Sequence, residues 1–300
     1  QIFESPNIRI SRDLGTSLGN IIFGWDRYVI DTLNPETKTA SVIAGSLDSA
    51  GYQEGVGSNA RFNTIYGMYQ WNQTFLLLSD RSNHCVRYID RVTRRSGLFA
   101  GQCSSPGFSD GIGSNARLNN PHDITLDKTN PSSVLIADHD NNAIRSADVN
   151  SRSMVTVLSN LASAPRRMAW SEENSTLYLG MDSGTVSVNW TTKAVVQLKP
   201  SNANLNYPGN SLFYSALTTQ PFGFRHVHGN IFAYALHNGS VYVMNMEHRT
   251  AFTLCAGSTA NCTFPSIHSL SATTDGPIYL GLHRKIQNLS GTVHIFICKL

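Results

Sequence analysis

The chain has 300 residues, a formal net charge of +3 and only 14% charged residues, against about 25% in an ordinary soluble domain. The small positive charge argues against a nucleic-acid partner, and no apolar run approaches the roughly 18 residues that a membrane-spanning helix needs. Gly, Ser, Thr and Asn take the place of charged residues, a composition typical of a β scaffold with many turns.

Six segments with the pattern of a β-hairpin follow one another along the chain. In each of them, two short apolar runs are joined by turn-forming residues such as Asp, Asn, Ser, Gly or His. The segments are NIIFGWDRYVIDT from Asn20, FLLLSDRSNHCVRYID from Phe75, SVLIADHDNNAIRSAD from Ser133, STLYLGMDSGTVSVNW from Ser175, NIFAYALHNGSVYVMN from Asn230 and PIYLGLHRKIQNLSGTVHIFIC from Pro277. They predict six copies of one supersecondary unit.

Two further features mark the repeat. The segment EGVGSNARFN from Glu54 returns almost unchanged as DGIGSNARLN from Asp110, 56 residues later. A proline, replaced once by isoleucine, precedes a short apolar segment ahead of each hairpin, at Pro6, Ile65, Pro121, Pro165, Pro221 and Pro265. Each unit therefore has four predicted strands: one after this landmark, two in the hairpin and one that closes the unit.

Repeated four-stranded units predict a β-propeller, because a radial arrangement buries each sheet against its neighbours and protects the edges. We predict an all-β fold, a single domain over residues 1–300 that forms a six-bladed propeller of four-stranded antiparallel blades. The blades cover roughly residues 6–45, 46–101, 102–158, 159–199, 200–257 and 258–300 plus 1–5.

The last unit contains only three strands between Pro265 and Leu300. The segment Gln1–Ser5 precedes the first unit and is the predicted fourth strand of the last blade. Two alternatives stay open: the chain is trimmed or continues further, or the N-terminus of another molecule fills the gap by strand addition.

The five cysteines predict two disulfides. Cys103 follows the last strand of the second unit, and Cys85 opens the strand that pairs with it, so these two residues are expected to lie close together. Cys255 and Cys262 bracket a short loop and are the second predicted pair. Cys298 is left over, which indicates a buried thiol or a bond to another chain. The alternative is five reduced cysteines in the core of a cytosolic protein.

Six Asn-X-Ser/Thr sequons are candidate sites for N-linked glycans, although chance alone predicts about five at this composition. They lie at Asn72, Asn174, Asn189, Asn238, Asn261 and Asn288. Most of them fall at predicted hairpin turns or just before strands, where a glycan would face solvent. The first residue, Gln1, is not a methionine, which suggests that a signal peptide has been removed. Glycosylation and disulfides both predict secretion to an extracellular location.

The segment GSNARLNNPHDITLD from Gly113, followed by SVLIADHDNNAIR, resembles the NHL repeat. The resemblance is close in the second and third units and covers about 110 residues. It implies a six-bladed propeller, in a family that includes cytosolic modules for RNA or protein, secreted adhesion proteins and the peptidylglycine-amidating lyase. It therefore does not choose one function.

Residues just after the landmarks are expected to line the central channel, so Tyr66, His122, Arg166 and Phe222 are candidate ligand-binding residues. The amidating lyases have a metal-binding histidine at this position in several blades, and here only His122 fits. A catalytic zinc wants three protein ligands, so we predict no metal, no other cofactor and no catalytic residue. Aspartates at the hairpin corners, Asp26, Asp80, Asp138 and Asp182, are interpreted as turn caps.

The function predicted from the sequence is that of a secreted, glycosylated, non-enzymatic module for protein interaction or assembly, in adhesion, the extracellular matrix or a surface filament. Its predicted partners are proteins, including further copies of the chain. One alternative is a metal-dependent enzyme of the amidating-lyase type that uses the central channel. The other is a cytosolic NHL module that binds RNA or protein.

Overall fold

The computed structural model describes residues 49–171 and 175–198 without a break, and outside these mainly the strands between residues 2 and 47 and between 221 and 298. The described residues contain strands and short 3-10 turns, and the prediction of an all-β propeller is confirmed. No helix in this described part is long and apolar enough to cross a membrane.

The described strands form six antiparallel sheets, the number of repeat units in the sequence. The N-terminal strand is β1 (Ile2–Ser5), and blade 1 contains β2 (Ser11–Ser17), β3 (Asn20–Trp25), β4 (Val29–Asn34) and β5 (Thr39–Gly45). Blade 2 contains β6 (Gly55–Val56), β7 (Ile65–Gln70), β8 (Phe75–Asp80), β9 (Cys85–Asp90) and β10 (Arg95–Ala100).

Blade 3 repeats the pattern of blade 2 strand for strand. It contains β11 (Gly111–Ile112), β12 (Pro121–Leu126), β13 (Ser133–Asp138), β14 (Ala143–Asp148) and β15 (Ser153–Leu158). Four 3-10 turns occur in these two blades, at Gly57–Asn59, Arg81–Asn83, Gly113–Asn115 and His139–Asn141.

The remaining blades have four strands each. Blade 4 contains β16 (Pro165–Trp170), β17 (Thr176–Met181), β18 (Gly184–Asn189) and β19 (Val195–Gln197). Blade 5 contains β20 (Pro221–His228), β21 (Ile231–Leu236), β22 (Val241–Asn245) and β23 (Thr250–Cys255). Blade 6 contains β24 (Ile267–Ala272), β25 (Ile278–Leu282) and β26 (Val293–Cys298), with β1 as its fourth strand.

The first strands of the six sheets form a closed ring. Each of β2, β7, β12, β16, β20 and β24 contacts the first strand of the blade before it and of the blade after it. Within blade 6, β1 pairs antiparallel with β26, with Ile2 opposite Phe296 and Ser5 opposite Val293. The N-terminal segment therefore occupies the place where the sequence predicts the closing strand.

Blades 2 and 3 each contain a fifth strand in addition to the four that the repeat predicts. It lies in the glycine-rich copies, where Gly55–Val56 pairs with Arg95 and Ser96, and Gly111–Ile112 pairs with Ser153 and Met154. The two-residue strands cover the outer edges of β10 and β15. Covering an exposed edge prevents unwanted pairing with other strands.

The hydrophobic core lies between neighbouring blades. Between blades 2 and 3, for example, Leu77, Val86 and Phe99 pack in one cluster with Val134 and Ile136, and all five side chains are almost fully buried. Burying one such side chain stabilises a fold by about 1.5–3 kcal/mol. Each blade is therefore held mainly by the faces of its two neighbours.

The buried carboxyl group of Asp31 makes the fold sensitive to pH. Asp31, in β4, is 3% exposed, and its Oδ1 accepts no hydrogen bond from the described residues. Burial raises the pKa of Asp31 from 3.8 to about 6. The carboxyl group of Asp31 therefore loses its proton at lower pH in the unfolded chain than in the folded chain. As a result, the wild-type protein loses stability as the pH rises from 3.8 to about 6.

We expect Asp31→Asn to increase the free energy of unfolding by about 1–2 kcal/mol at pH 7.5, because a neutral amide is less costly to bury than a charge. The gain should shrink as the pH falls and vanish about one unit below 3.8, where the wild-type carboxyl is mostly protonated in both states. Denaturant unfolding of both proteins between about pH 3 and pH 7.5 measures the difference. A gain that does not depend on pH would contradict this account of Asp31.

Candidate functional site

Side chains from three consecutive blades meet at one end of the central ring of strands. Tyr66, His122 and Arg166 are the second residues of β7, β12 and β16. The hairpin corners of the same blades add Arg81, His139 and Asp182. These six residues are called the channel-mouth cluster below.

Three aromatic rings of the cluster form a stack. The ring of His122 lies between those of Tyr66 and His139, with centroid distances of 4.0 Å and 3.8 Å and interplanar angles of 23° and 15°. Two arginines lie close to the Tyr66 ring, since the guanidinium carbons of Arg167 and Arg81 are 5.1 Å and 5.8 Å from its centroid. Cations over an aromatic face are attracted by its quadrupole.

His122 is neutral and carries one polar group without a partner. Nε of Arg81 donates a hydrogen bond to Nε2 of His122 at 2.8 Å, so Nε2 is unprotonated and the ring proton is on Nδ1. Burial and the neighbouring cations hold the pKa of His122 well below 6.5. The side chain is fully buried, and Nδ1 has no hydrogen-bond partner among the described residues.

Charged side chains form the exposed rim of the cluster. Arg166 donates from Nη1 to the hydroxyl of Tyr66 at 3.0 Å and from Nε to Oδ1 of Asp182. Nε2 of His139 is 3.5 Å from Oδ2 of Asp182, and its Nδ1 is 2.5 Å from Oδ1 of Asp140. Burial lowers the pKa of Arg166, but its hydrogen bonds and electrostatic interactions with Asp182 and Tyr66 outweigh this effect and raise the pKa above the ordinary value of arginine.

The inner strands position the cluster by close backbone contacts. A Cβ on Gly67 would be 2.3 Å from the carbonyl oxygen of His122, so this glycine allows β7 to approach β12. The hydroxyl of Ser79 accepts from the amide of Gly67 at 2.7 Å and donates to the carbonyl of His122 at 2.6 Å. On the other side, Oδ2 of Asp123 accepts from the amide of Met168 at 2.8 Å. His122 is therefore fixed from both neighbouring blades.

The interpretation of Asp80 and Asp138 as turn caps is wrong, because each precedes a 3-10 turn and accepts no capping hydrogen bond from the backbone of that turn. Their carboxylates hold a more distant part of the chain instead. Oδ1 of Asp80 accepts from the amide of Asn63 at 2.7 Å, and Oδ1 of Asp138 accepts from the amide of Asn119 at 2.8 Å. Both carboxylates are fully buried, and burial raises the pKa of both, that of Asp80 to about 7. Asp26 lies outside the described residues.

The interpretation of Asp182 as a turn cap is also wrong. The landmark residues Ile65, Pro121 and Pro165 pair with Asp80, Asp138 and Met181, so Asp182 lies one position beyond the place of Asp80 and Asp138. Its structural equivalents are Arg81 and His139. Asp182 is 38% exposed and forms an ion pair with Arg166 instead of closing a turn.

The structure brings three of the four predicted channel residues together, namely Tyr66, His122 and Arg166. Phe222 lies in β20, but its side chain is outside the described part. Arg81 and His139 are not among the residues predicted from the sequence. Each directly follows a buried corner aspartate, a signal that appears when the corner residues of the blades are compared.

Metal binding at His122 is opposed by its neighbours. A cation at Nε2 would have to displace the guanidinium of Arg81, and Arg166 and Arg167 add positive charge nearby. Among the described residues, no group of three or more His, Cys, Asp or Glu could hold a metal ion. The cluster does offer charged groups of both signs, the exposed Asp182 and the partly exposed Arg166, which can form hydrogen bonds with a polar partner.

The predicted disulfide in blade 2 is confirmed. Cys85 and Cys103 are bonded, with a Cα–Cα distance of 5.0 Å and a sequence separation of 18 residues. Cys255 lies in β23 and Cys298 in β26, with side chains outside the described part, and Cys262 lies outside it altogether. The second pair and the leftover cysteine stay predictions.

Two of the six sequons fall on described residues. Asn72 lies in the turn between β7 and β8, Asn189 is the last residue of β18, and both are exposed. Because β7 and β18 begin at the channel-mouth cluster, both sequons lie at the opposite end of the propeller. Asn174, Asn238, Asn261 and Asn288 lie outside the described residues.

The fold and this site define a β-propeller with a polar cluster at one end of its channel. No family model matches the chain. A curated relative, the Arabidopsis thaliana protein SUPPRESSOR OF QUENCHING 1, chloroplastic, is 29% identical over 147 residues, which cover 49% of this chain and 12% of that protein. The chain thus spans only a small part of this relative's length.

Solved structures share the fold at low sequence identity. The extracellular domain of a hybrid two-component system from B. thetaiotaomicron is similar with a TM-score of 0.60 at 11% identity, over 96% of this chain and 40% of that one. A nidogen/laminin complex gives 0.57 at 10% identity, over 82% and 79% of the two chains. Streptogramin B lyase gives 0.57 at 11% identity, over 99% and 98%. At these identities the similarity shows the fold alone.

Proposed function

We propose that this chain is an extracellular, N-glycosylated propeller of the NHL-repeat kind, a single domain over residues 1–300 that binds another protein without catalysing a reaction. The observation that carries the proposal is the channel-mouth cluster. It combines an exposed carboxylate, Asp182, and the partly exposed Arg166 on a rigid base with a buried donor, Nδ1–H of His122, that has no partner among the described residues. Leaving such a donor unpaired costs about 1–3 kcal/mol.

Two features support the extracellular assignment. The Cys85–Cys103 disulfide is of a kind that persists in oxidising compartments and is rare in the cytosol. The exposed sequons at Asn72 and Asn189 lie at the end of the propeller away from the cluster, so glycans there would leave the cluster accessible. The fold is also compatible with a protein partner, because one structure that shares it is a nidogen/laminin complex.

Arginine is enriched among residues that dominate protein interfaces. We therefore expect Arg166→Ala to weaken partner binding at least tenfold, which corresponds to about 1.4 kcal/mol. The test compares three immobilised proteins: wild type, Arg166→Ala and the control Arg95→Ala. Each is exposed to an extracellular fraction from the natural source, and the proteins that it retains are quantified by mass spectrometry. Arg95 is exposed on β10, away from the cluster.

The expected partner is retained by wild type and by Arg95→Ala and is lost from Arg166→Ala. Equal retention by all three proteins would overturn the assignment of the cluster as the interface. The compartment is tested on protein from the natural source by non-reducing and reducing mass analysis, with and without deglycosylation. Reduced cysteines without glycans there would instead support a cytosolic binding module.

A further inference from the structure

A cleft of about 340 Å³ lies at the outer seam between blades 2 and 3. The aromatic side chains of Trp71, Phe75, Tyr88 and Phe99 line it together with Arg152 and the sequon residue Asn72. Small-molecule sites in proteins start at about 300 Å³ and are mainly apolar, with a few polar groups. The cleft therefore has the size and lining of a site for one small ring.

The side chain of Asn72 is fixed with its amide nitrogen free. Its Oδ1 accepts hydrogen bonds from the amides of Thr74 and Phe75, both at 2.8 Å, so the side chain closes a turn of its own. Nδ2, the atom that carries an N-linked glycan, forms no hydrogen bond with the described residues. Because the turn holds Asn72 at the edge of the cleft, a sugar on Nδ2 starts beside the aromatic rings.

The lining matches the two kinds of surface on a pyranose ring. A sugar has an apolar face of C–H groups that packs on aromatic rings, and hydroxyl and amide groups at its edge that need hydrogen-bond partners. Phe75 is 37% exposed and meets Tyr88 edge to face at 6.2 Å. Arg152 lies over Tyr88 at 5.6 Å and supplies donors at the rim.

We propose that this cleft receives the first N-acetylglucosamine of a glycan attached to Asn72. The inference rests on the proposed passage of the chain through a secretory compartment. There Nδ2 of Asn72 attacks C1 of a lipid-linked oligosaccharide diphosphate, the N–C bond forms, the amide loses a proton and the lipid diphosphate leaves. Since the sugar is then tethered, its effective concentration is in the millimolar range and weak contacts are enough to hold it.

Asn189 provides a matched sequon without this cleft. Its Oδ1 accepts from the amides of Thr191 and Thr192 at 3.1 Å and 3.0 Å, the same turn that Asn72 forms. The neighbouring ring of Trp190, however, is 4% exposed and is covered by Lys193, whose Nζ lies 3.3 Å from the ring centroid. A glycan on Asn189 is therefore expected to extend into solvent.

The test uses the full chain secreted from cultured eukaryotic cells behind an added signal peptide. The folded protein is treated with a peptide amidase that removes N-linked glycans, and release at each site is followed by mass spectrometry. We expect release at Asn72 to be at least about tenfold slower than at Asn189. Phe75→Thr, which keeps the sequon and a strand-forming residue, should abolish this difference without changing release at Asn189.

A second readout is the unfolding temperature. Asn72→Gln and Asn189→Gln remove the same turn and one glycan each, so Asn72→Gln should lower the unfolding temperature by about 2–3 °C more than Asn189→Gln does. Equal release rates at both sites, or no glycan on Asn72 while Asn189 is occupied, would overturn the inference. Neither result bears on the proposed function, which fails separately if protein from the natural source carries reduced cysteines and no glycan.

Discussion

Replacing Arg145 with methionine is expected to lower the free energy of unfolding by about 3–5 kcal/mol, because the substitution leaves a buried carboxylate without its cation. Arg145 and Asp138 are both fully buried, and Nη1 of Arg145 is 2.9 Å from Oδ2 of Asp138. Nη2 also lies 2.6 Å from Oδ1 of Asp110. Methionine fills a similar volume, so the loss reports the missing charge and hydrogen bonds more than a cavity.

The same arginine anchors the repeated glycine-rich segment. It donates to the carbonyls of Arg117 and Ser109 at 3.0 Å and 2.8 Å, and its guanidinium lies 4.9 Å from the ring centroid of Phe108. Removing Arg145 therefore removes contacts that hold two parts of the blade, the segment that carries β11 and the hairpin corner of blade 3. Denaturant unfolding followed by tryptophan fluorescence measures the combined loss.

Blade 2 supplies an internal comparison. Arg87 is equally buried, but its Nη1 is 3.4 Å from Oδ2 of Asp80, so Arg87→Met should cost less than Arg145→Met. The exposed Arg95, changed to methionine, serves as the control and should change stability by at most about 0.5 kcal/mol. A loss below about 1 kcal/mol for Arg145→Met would show that the buried pair contributes little net stability.

Corresponding side chains anchor both copies of the glycine-rich segment. In each blade, the corner aspartate, the asparagine three residues later and the buried arginine bind the backbone of this segment or of the residues just before it. Asn83 donates to the carbonyl of Gly51 at 2.8 Å, and Asn141 donates to that of Gly107 at the same distance. The sequence showed the copies and their period, and from them the propeller, but a segment rich in glycine gave no sign of the added edge strand.

The candidate site was predictable only in part, for a geometric reason. Counting one residue from each landmark finds Tyr66, His122 and Arg166, because the inner strands start at equivalent positions. The contacts between them cross from blade to blade, as from Arg81 to His122, and no spacing along the chain encodes such a distance. The hairpin corner of blade 4 contains no 3-10 turn, and Asp182 lies one position later in this corner than Asp80 and Asp138 do in theirs. The sequence pattern alone does not show this shift, and Asp182 is therefore misassigned from it.

The Cys85–Cys103 disulfide is the other feature whose removal should have a large effect. We expect Cys85→Ala/Cys103→Ala to lose about 3 kcal/mol of unfolding free energy, mainly because the unfolded chain regains the freedom of a closed loop of this length. Cys103 follows β10 and precedes the segment that leads into blade 3, where the amide of Ser104 donates to the carbonyl of Asn83 at 2.8 Å. The bond therefore fixes the point at which the chain leaves one blade for the next.

A reductant separates the effect of the bond from that of the substitutions. Oxidised wild type should be about 3 kcal/mol more stable than the double variant, and wild type in reductant should fall to the level of the variant in the same reductant. Cys255, Cys262 and Cys298 are present in both proteins, so any effect of reducing them cancels in this comparison. Equal stability of the oxidised wild type and the oxidised variant would mean that the folded contacts of β9 and β10 hold this junction without help from the bond.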